Sequence, residues 1–155
     1  ADPAATTFQW DLFLLAGDAE NGNTNTNAGN TVSNNNSNNN AGTIQGDLFS
    51  SPDGLAFDAD GRLWIETDYD DAAPHNRNMG CNQLLCADPV SREVKRFLAG
   101  PRGCEITGIT WTPDHRTLWI NVQHPGLHFP ASDGKTRPRS TTVVITKNDG
   151  GVIGT

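Results

Sequence analysis

The 155-residue sequence predicts an all-β fold of four-stranded antiparallel units, about two of them, arranged like propeller blades. Three observations predict it. A stretch recurs, GLAFDADGRLWI from Gly54 returning as GITWTPDHRTLWI from Gly108, with Phe57 matching Trp111, Asp60 matching Asp114 and Arg62 matching Arg116 ahead of an identical Leu-Trp-Ile. The resulting period, roughly fifty residues, is of the length that repeat architectures use. Within each period lie short apolar or alternating runs divided by turn chemistry, and no segment keeps a 3.6-residue apolar period, so helix is expected to be scarce.

Taken in order, residues 1 to 20 contain TFQWDLFLLAG, residues 7 to 17, which reads as a strand of a preceding unit or a clasp on the first. Residues 21 to 45 form a linker whose first part, NGNTNTNAGNTVSNNNSNNN, holds eleven asparagines in twenty residues. This Asn-rich insert has almost no apolar surface to offset the ~1 to 2 kcal/mol of backbone entropy that ordering costs per residue. A surface loop without regular structure is expected; stacked polar ladders in an assembly are the alternative. Asn35-Asn36-Ser37 is an N-glycosylation sequon, meaningful only in a cell that glycosylates. Because loop closure depends weakly on loop length, deleting residues 21 to 40 should move the melting temperature by less than about 5 °C in a thermal melt.

The first unit, residues 46 to 100, has expected strands at 54 to 58, 62 to 67, 82 to 87 and 93 to 98, with turns at Asp-Ala-Asp-Gly and Asp-Pro-Val-Ser-Arg. The second, residues 101 to 155, repeats it with GITW, LWINVQ and TTVVIT, and its fourth strand would begin at GVIGT. Alternation sets Trp64 and Trp119 opposite their Leu and Ile neighbours, each expected between packed sheets. Propellers close with roughly four to eight blades. Two therefore imply an incomplete propeller that an N-terminal portion completes, a face-to-face sandwich, or a homo-oligomer, with Trp10, Phe13 and Leu15 most in want of a partner.

A net charge of −7 and a pI near 4.8 argue against nucleic acid and anionic membrane as partners. No apolar run approaches the roughly eighteen residues of a membrane-crossing helix. The opening Ala-Asp-Pro-Ala-Ala lacks a signal pattern and the one methionine, Met79, is internal, so any export signal is expected to be already removed or never to have been included in this sequence. Three cysteines leave one over. Either Cys81 or Cys86 bonds Cys104, or all three are semi-buried thiols acting as small apolar residues. The spacing in CNQLLC is not that of a zinc knuckle.

Candidate chemistry sits near strand ends. Asp53 and Glu105 lead into the first strand of each unit, the innermost in a propeller, where side chains face the central channel. Glu66, Asp68, Asp70 and Asp71 in ETDYDD supply oxygen at a density that suits Ca²⁺, although a solvated acidic turn is the commoner meaning of such a run. His124 and His128 in QHPGLHFP are candidate ligands or acid/base groups, against the frequent structural role of lone histidines. Arg102 in GPRGCE has the fork geometry to clamp an anion. No serine triad order, phosphate-cradling loop or dinucleotide fingerprint is present.

The strings FSSPDGLAFDADGRLWIETD, NQLLCADP, EVKRFLAGPRGCEITGITWTPD, LWINVQHPG and RPRSTTVVIT together resemble the C-terminal part of PhoX-type alkaline phosphatases, exported bacterial propeller enzymes. The resemblance implies a phosphatase that hydrolyses phosphomonoesters with Ca²⁺ and Fe³⁺ as cofactors, periplasmic or extracellular, its metals held in the channel by carboxylates and one cysteine. Asp53 and Glu105 fall at family motif positions and are the expected metal ligands, with Glu66, Asp68 and His124 as further candidates and Arg102 on the substrate phosphate. Cys81 and Cys86 stand where non-cysteine residues are expected, so neither inherits the cysteine's role, and the Asn-rich insert also departs from the family. Most ligands would lie N-terminal to the matched stretch, which leaves the site incomplete in this chain alone. The alternative is a non-catalytic extracellular β-domain for binding or self-assembly.

Overall fold

The structure is a computed structural model that describes residues 4 to 17, 43 to 73, 76 to 127 and 129 to 154; the Asn-rich insert with its sequon, and His128, lie outside them. The described residues form strands β1 (Gln45–Gly46), β2 (Pro52–Phe57), β3 (Leu63–Thr67), β4 (Gln83–Ala87), β5 (Glu93–Ala99), β6 (Glu105–Trp111), β7 (Thr117–Gln123) and β8 (Thr141–Thr146), with no α-helix among them. They make two sheets, a five-stranded one in the order β1-β5-β4-β3-β2 and a three-stranded one in the order β6-β7-β8.

Neither sheet matches the four-stranded expectation as it stands. In the first, β2 to β5 form the expected antiparallel meander, and the short β1 adds in parallel to the outer strand, Gln45 opposite Glu93. In the second, GVIGT adds no strand among its described residues. Ile153 is instead buried in the core and donates its N–H to the His115 carbonyl at 3.0 Å. Nor do residues 7 to 17 form a strand: they run irregularly, bonded by Gly17 N to Phe49 O and by Thr43 N to Leu15 O, each at 2.9 Å. Their apolar side chains pack rather than pair. Phe13, Leu14 and Ala16 lie against the first sheet, whereas Trp10 stays 79% exposed.

The hairpin turns use their carboxylates differently: Asp60, the repeat's aspartate, meets the Arg62 guanidinium at 2.8 Å, while Asp58, whose place Thr112 takes in the second copy, organises the first turn. Asp58 accepts the backbone N–H groups of Asp60 and Arg62, the Arg62 guanidinium at 2.7 Å and the Trp64 indole at 2.9 Å. Burial works against its charge, but these donors outweigh it and hold the carboxyl below its ordinary value. In the second hairpin Asp114 accepts Thr112 Oγ1 and Arg116 N. Both repeat arginines then reach the same tail, Arg62 to Gly154 O and Arg116 to Gly150 O.

Two apolar layers sandwich the first sheet. Trp64 and Leu84 on one face meet Ile106, Leu118, Ile120 and Val122 of the second sheet. On the other face Ile65, Leu85, Ala87 and Val94 pack with Phe49, Phe13, Leu14 and Ile44. Covered on both sides, β3 buries four consecutive residues, Trp64 to Thr67. The second sheet is packed on one face, so β7 alternates between buried and half-buried positions. That separates the two tryptophans expected to be equivalent. Trp64 is fully buried between the sheets, edge-on to Phe97 and Trp111, while Trp119 is half-buried on the far face of β7. All three cysteines are free thiols raised by burial, Cys104 to about 12, which leaves them protonated and apolar in behaviour.

Candidate metal centre

The repeat builds its site with one recurring device. The ladder slips between Pro52 and Leu55 and again between Thr107 and Thr110, placing a bulge at Gly54 and at Gly108. A Cβ on Gly54 would land on Glu66 Oε2, and one on Gly108, where φ is +71°, would land on Asn121 Nδ2. Glu66 and Asn121 are the residues that follow Leu-Trp-Ile in the two copies, so each bulged glycine makes room for the side chain ending the matching strand. In the first copy that side chain is a carboxylate.

Glu66 is 3% exposed and accepts the Ile109 N–H at 2.8 Å, bridging the first sheet to β6. Burial pushes it up to about 7, and the charges of Asp53 and Glu105 add to that rise while the backbone N–H groups of Ile109 and Gly108 oppose it. Glu105, the first residue of β6, is likewise raised above the usual carboxylate range by burial and then by Asp68 and Asp53, with His124 opposing. Ligand atoms of Asp68, Glu105 and His124 all lie within 4.8 Å of one another. His124 Nε2 is 3.4 Å from Glu105 Oε2, and Gln123 Nε2 donates to the same oxygen at 2.7 Å.

Four of the residues singled out from sequence as metal ligands or further candidates thus interact at one end of the sheets: Glu66, Asp68, Glu105 and His124, with exposed Asp53 close enough to act on both glutamates. Asp53 and Glu105 sit within β2 and β6 rather than ahead of them, because both strands begin earlier than their apolar runs. The ETDYDD run divides. Glu66 and Asp68, two apart, face the cluster, whereas Asp70 caps its own turn through Ala72 N, and Asp71 takes Gly103 N at 2.9 Å. Arg102 is exposed in the turn before β6, where its charge acts on the Cys81 thiol and its carbonyl accepts the Gly126 N–H at 2.9 Å. Gln123 went unnoticed in the sequence; its signal was its place beside His124 and opposite Glu105 in the β6/β7 register.

A buried carboxylate near pH 7 in its ionisation, surrounded by like charges, fits a cation. Bound positive charge would lower every one of these ionisations, and oxygen donors with one imidazole suit hard cations such as Ca²⁺ or ferric iron.

A family model described as "Alkaline phosphatase PhoX" matches residues 1 to 126. No curated protein matches the chain. Among solved structures, PhoX of Pseudomonas fluorescens in complex with vanadate, a transition state analogue, aligns at 41% identity with a TM-score of 0.78, covering 94% of this chain. The chain spans 24% of that protein's length. Identity at this level over nearly every residue, on strands that bring the acidic cluster together, leads to one conclusion: the chain belongs to the PhoX family of alkaline phosphatases.

Proposed function

We propose that the chain supplies one wall of the metal centre of a phosphomonoesterase, with Asp53, Glu66, Asp68 and Glu105 as oxygen ligands and His124 beside them. The convergence of Asp68, Glu105 and His124 within 4.8 Å carries this reading. It draws support from family membership. Ca²⁺ and Fe³⁺ are the proposed cofactors, and their charge, when bound, polarises the phosphoryl group and offsets the chain's net −7, which otherwise repels phosphate. Glu66, seated over Gly54 and held by Ile109, fixes where negative charge meets a cation. His124 Nε2 stands 3.4 Å from Glu105 Oε2, on the side of the carboxylate that meets the site. Arg102 is the proposed clamp on the non-bridging oxygens of a phosphate monoester.

The two sheets are read as consecutive propeller blades, and the further ligands are assigned to the part of the family fold that this chain does not span. The working compartment is periplasmic or extracellular. The rival reading, a non-catalytic β-domain that self-associates, is favoured by the exposed Trp10, Leu55 and Phe57. Metal binding separates the two. Calorimetry should show the chain taking up Ca²⁺, and Asp68→Asn with Glu105→Gln should weaken uptake by more than the roughly 10- to 100-fold typical of losing a supporting residue. Hydrolysis of a chromogenic phosphomonoester by the chain alone should be weak or absent. No uptake in the wild type would leave the β-domain reading standing.

A further inference from the structure

Gln123 and His124 are consecutive, yet both side chains approach Glu105 Oε2, at 2.7 and 3.4 Å. A regular strand forbids this, because neighbouring side chains point to opposite faces. Gln123 reaches the oxygen directly as the cross-strand partner of Glu105. His124 gets there because the chain leaves the strand conformation: its φ is +35°, in the left-handed region that non-glycine residues seldom occupy. Ser140 Oγ holds the turn by accepting the His124 N–H at 3.0 Å. Strain of this kind persists only where the surroundings enforce it.

We infer that Gln123 is a positioning residue that fixes the Glu105 carboxylate for a divalent cation, the left-handed turn at His124 bringing the imidazole to the same oxygen; this rests on the cation site proposed above. An amide suits the task. It donates without adding charge, where a lysine or arginine would neutralise the carboxylate and repel a cation. With Oε2 held, the carboxylate's orientation is set and its other oxygen is left to offer. Should His124 give its nitrogen to a cation, the Gln123 contact still holds Glu105 in place.

The test is Ca²⁺ calorimetry on the whole chain, comparing wild type, Gln123→Met, which keeps the length but not the donor, Glu105→Gln, and the double variant. Gln123→Met should weaken binding roughly tenfold or more, leave the melting point in chelator unchanged, and have no further effect once Glu105→Gln is present. Gln123→Ala, lacking the same donor with less bulk, should give the same loss. Wild-type affinity in both Gln123 variants overturns the inference, and so does an equal loss in the two Glu105 backgrounds, which would make the residue merely structural. A wild type that takes up no Ca²⁺ overturns the cation site itself, and this inference with it.

Discussion

Raising the pH from 4.5 to 7 in chelator should cost the fold about 3 kcal/mol through Glu66 alone. The direction follows from proton binding. Glu66 ionises near 7 in the folded chain and near 4.5 when unfolded, so between those values the folded state holds more protons. Its contribution is complete below 4.5 and lost as the pH rises through 7. Urea denaturation across this range, for wild type and Glu66→Gln, isolates the effect as a difference curve. The variant, which cannot ionise, should gain on wild type as the pH rises. Added Ca²⁺ should restore the wild type at high pH and do little at low pH, where the carboxylate is protonated. Parallel profiles for the two proteins would show that Glu66 ionises normally.

Trp64→Ala should be the most damaging single change in the core, costing about 3 to 5 kcal/mol. The indole is fully buried where the sheets meet, stacks edge-on against Phe97 and Trp111 at 5.0 and 5.8 Å, and donates to buried Asp58. Its removal opens a cavity and strips a donor from a carboxylate that needs one. Trp119→Ala, at the matching place in the repeat, should cost about 1 kcal/mol, near the average for point changes, because the far face of β7 is only half-covered. Denaturation midpoints of the two variants measure the contrast. Equal losses would mean that the far face of β7 is as tightly packed as the interface.

The contrast also shows what the sequence can and cannot convey. Leu-Trp-Ile reads identically in both copies, and alternation correctly puts Leu118 and Ile120 on one face with Trp119 on the other. Which face meets a neighbour depends on residues far away in the chain, so the fates of Trp64 and Trp119 were not written locally. Residues 7 to 17 failed in the same way. Their β-prone composition described side chains that would be buried, and Phe13 and Leu14 are half-buried, but the segment packs over the face of the first sheet, where β1 already takes the outer edge of β5, and pairs with no strand. At the site, strand-end placement was enough to single out Asp53 and Glu105, while carboxylate density in ETDYDD flagged Glu66 and Asp68 but could not separate them from Asp70 and Asp71, which bond elsewhere. Gln123 was hidden because an amide carries no chemistry of its own; only the β6/β7 register and the turn at His124 disclose what it touches.

The parallel pairing of β1 with β5 sets an order of events as the chain leaves the ribosome. β1 emerges first, and its ladder partner follows only after β2, β3 and β4. The meander can zip by neighbouring hairpins as it appears, whereas β1, and Phe49 just behind it, must wait for Val94 to close the layer over the sheet. Throughout that interval Ile65 and Leu85 have one face bare. A nascent chain in which β2 to β4 have emerged and β5 has not therefore presents this apolar layer uncovered.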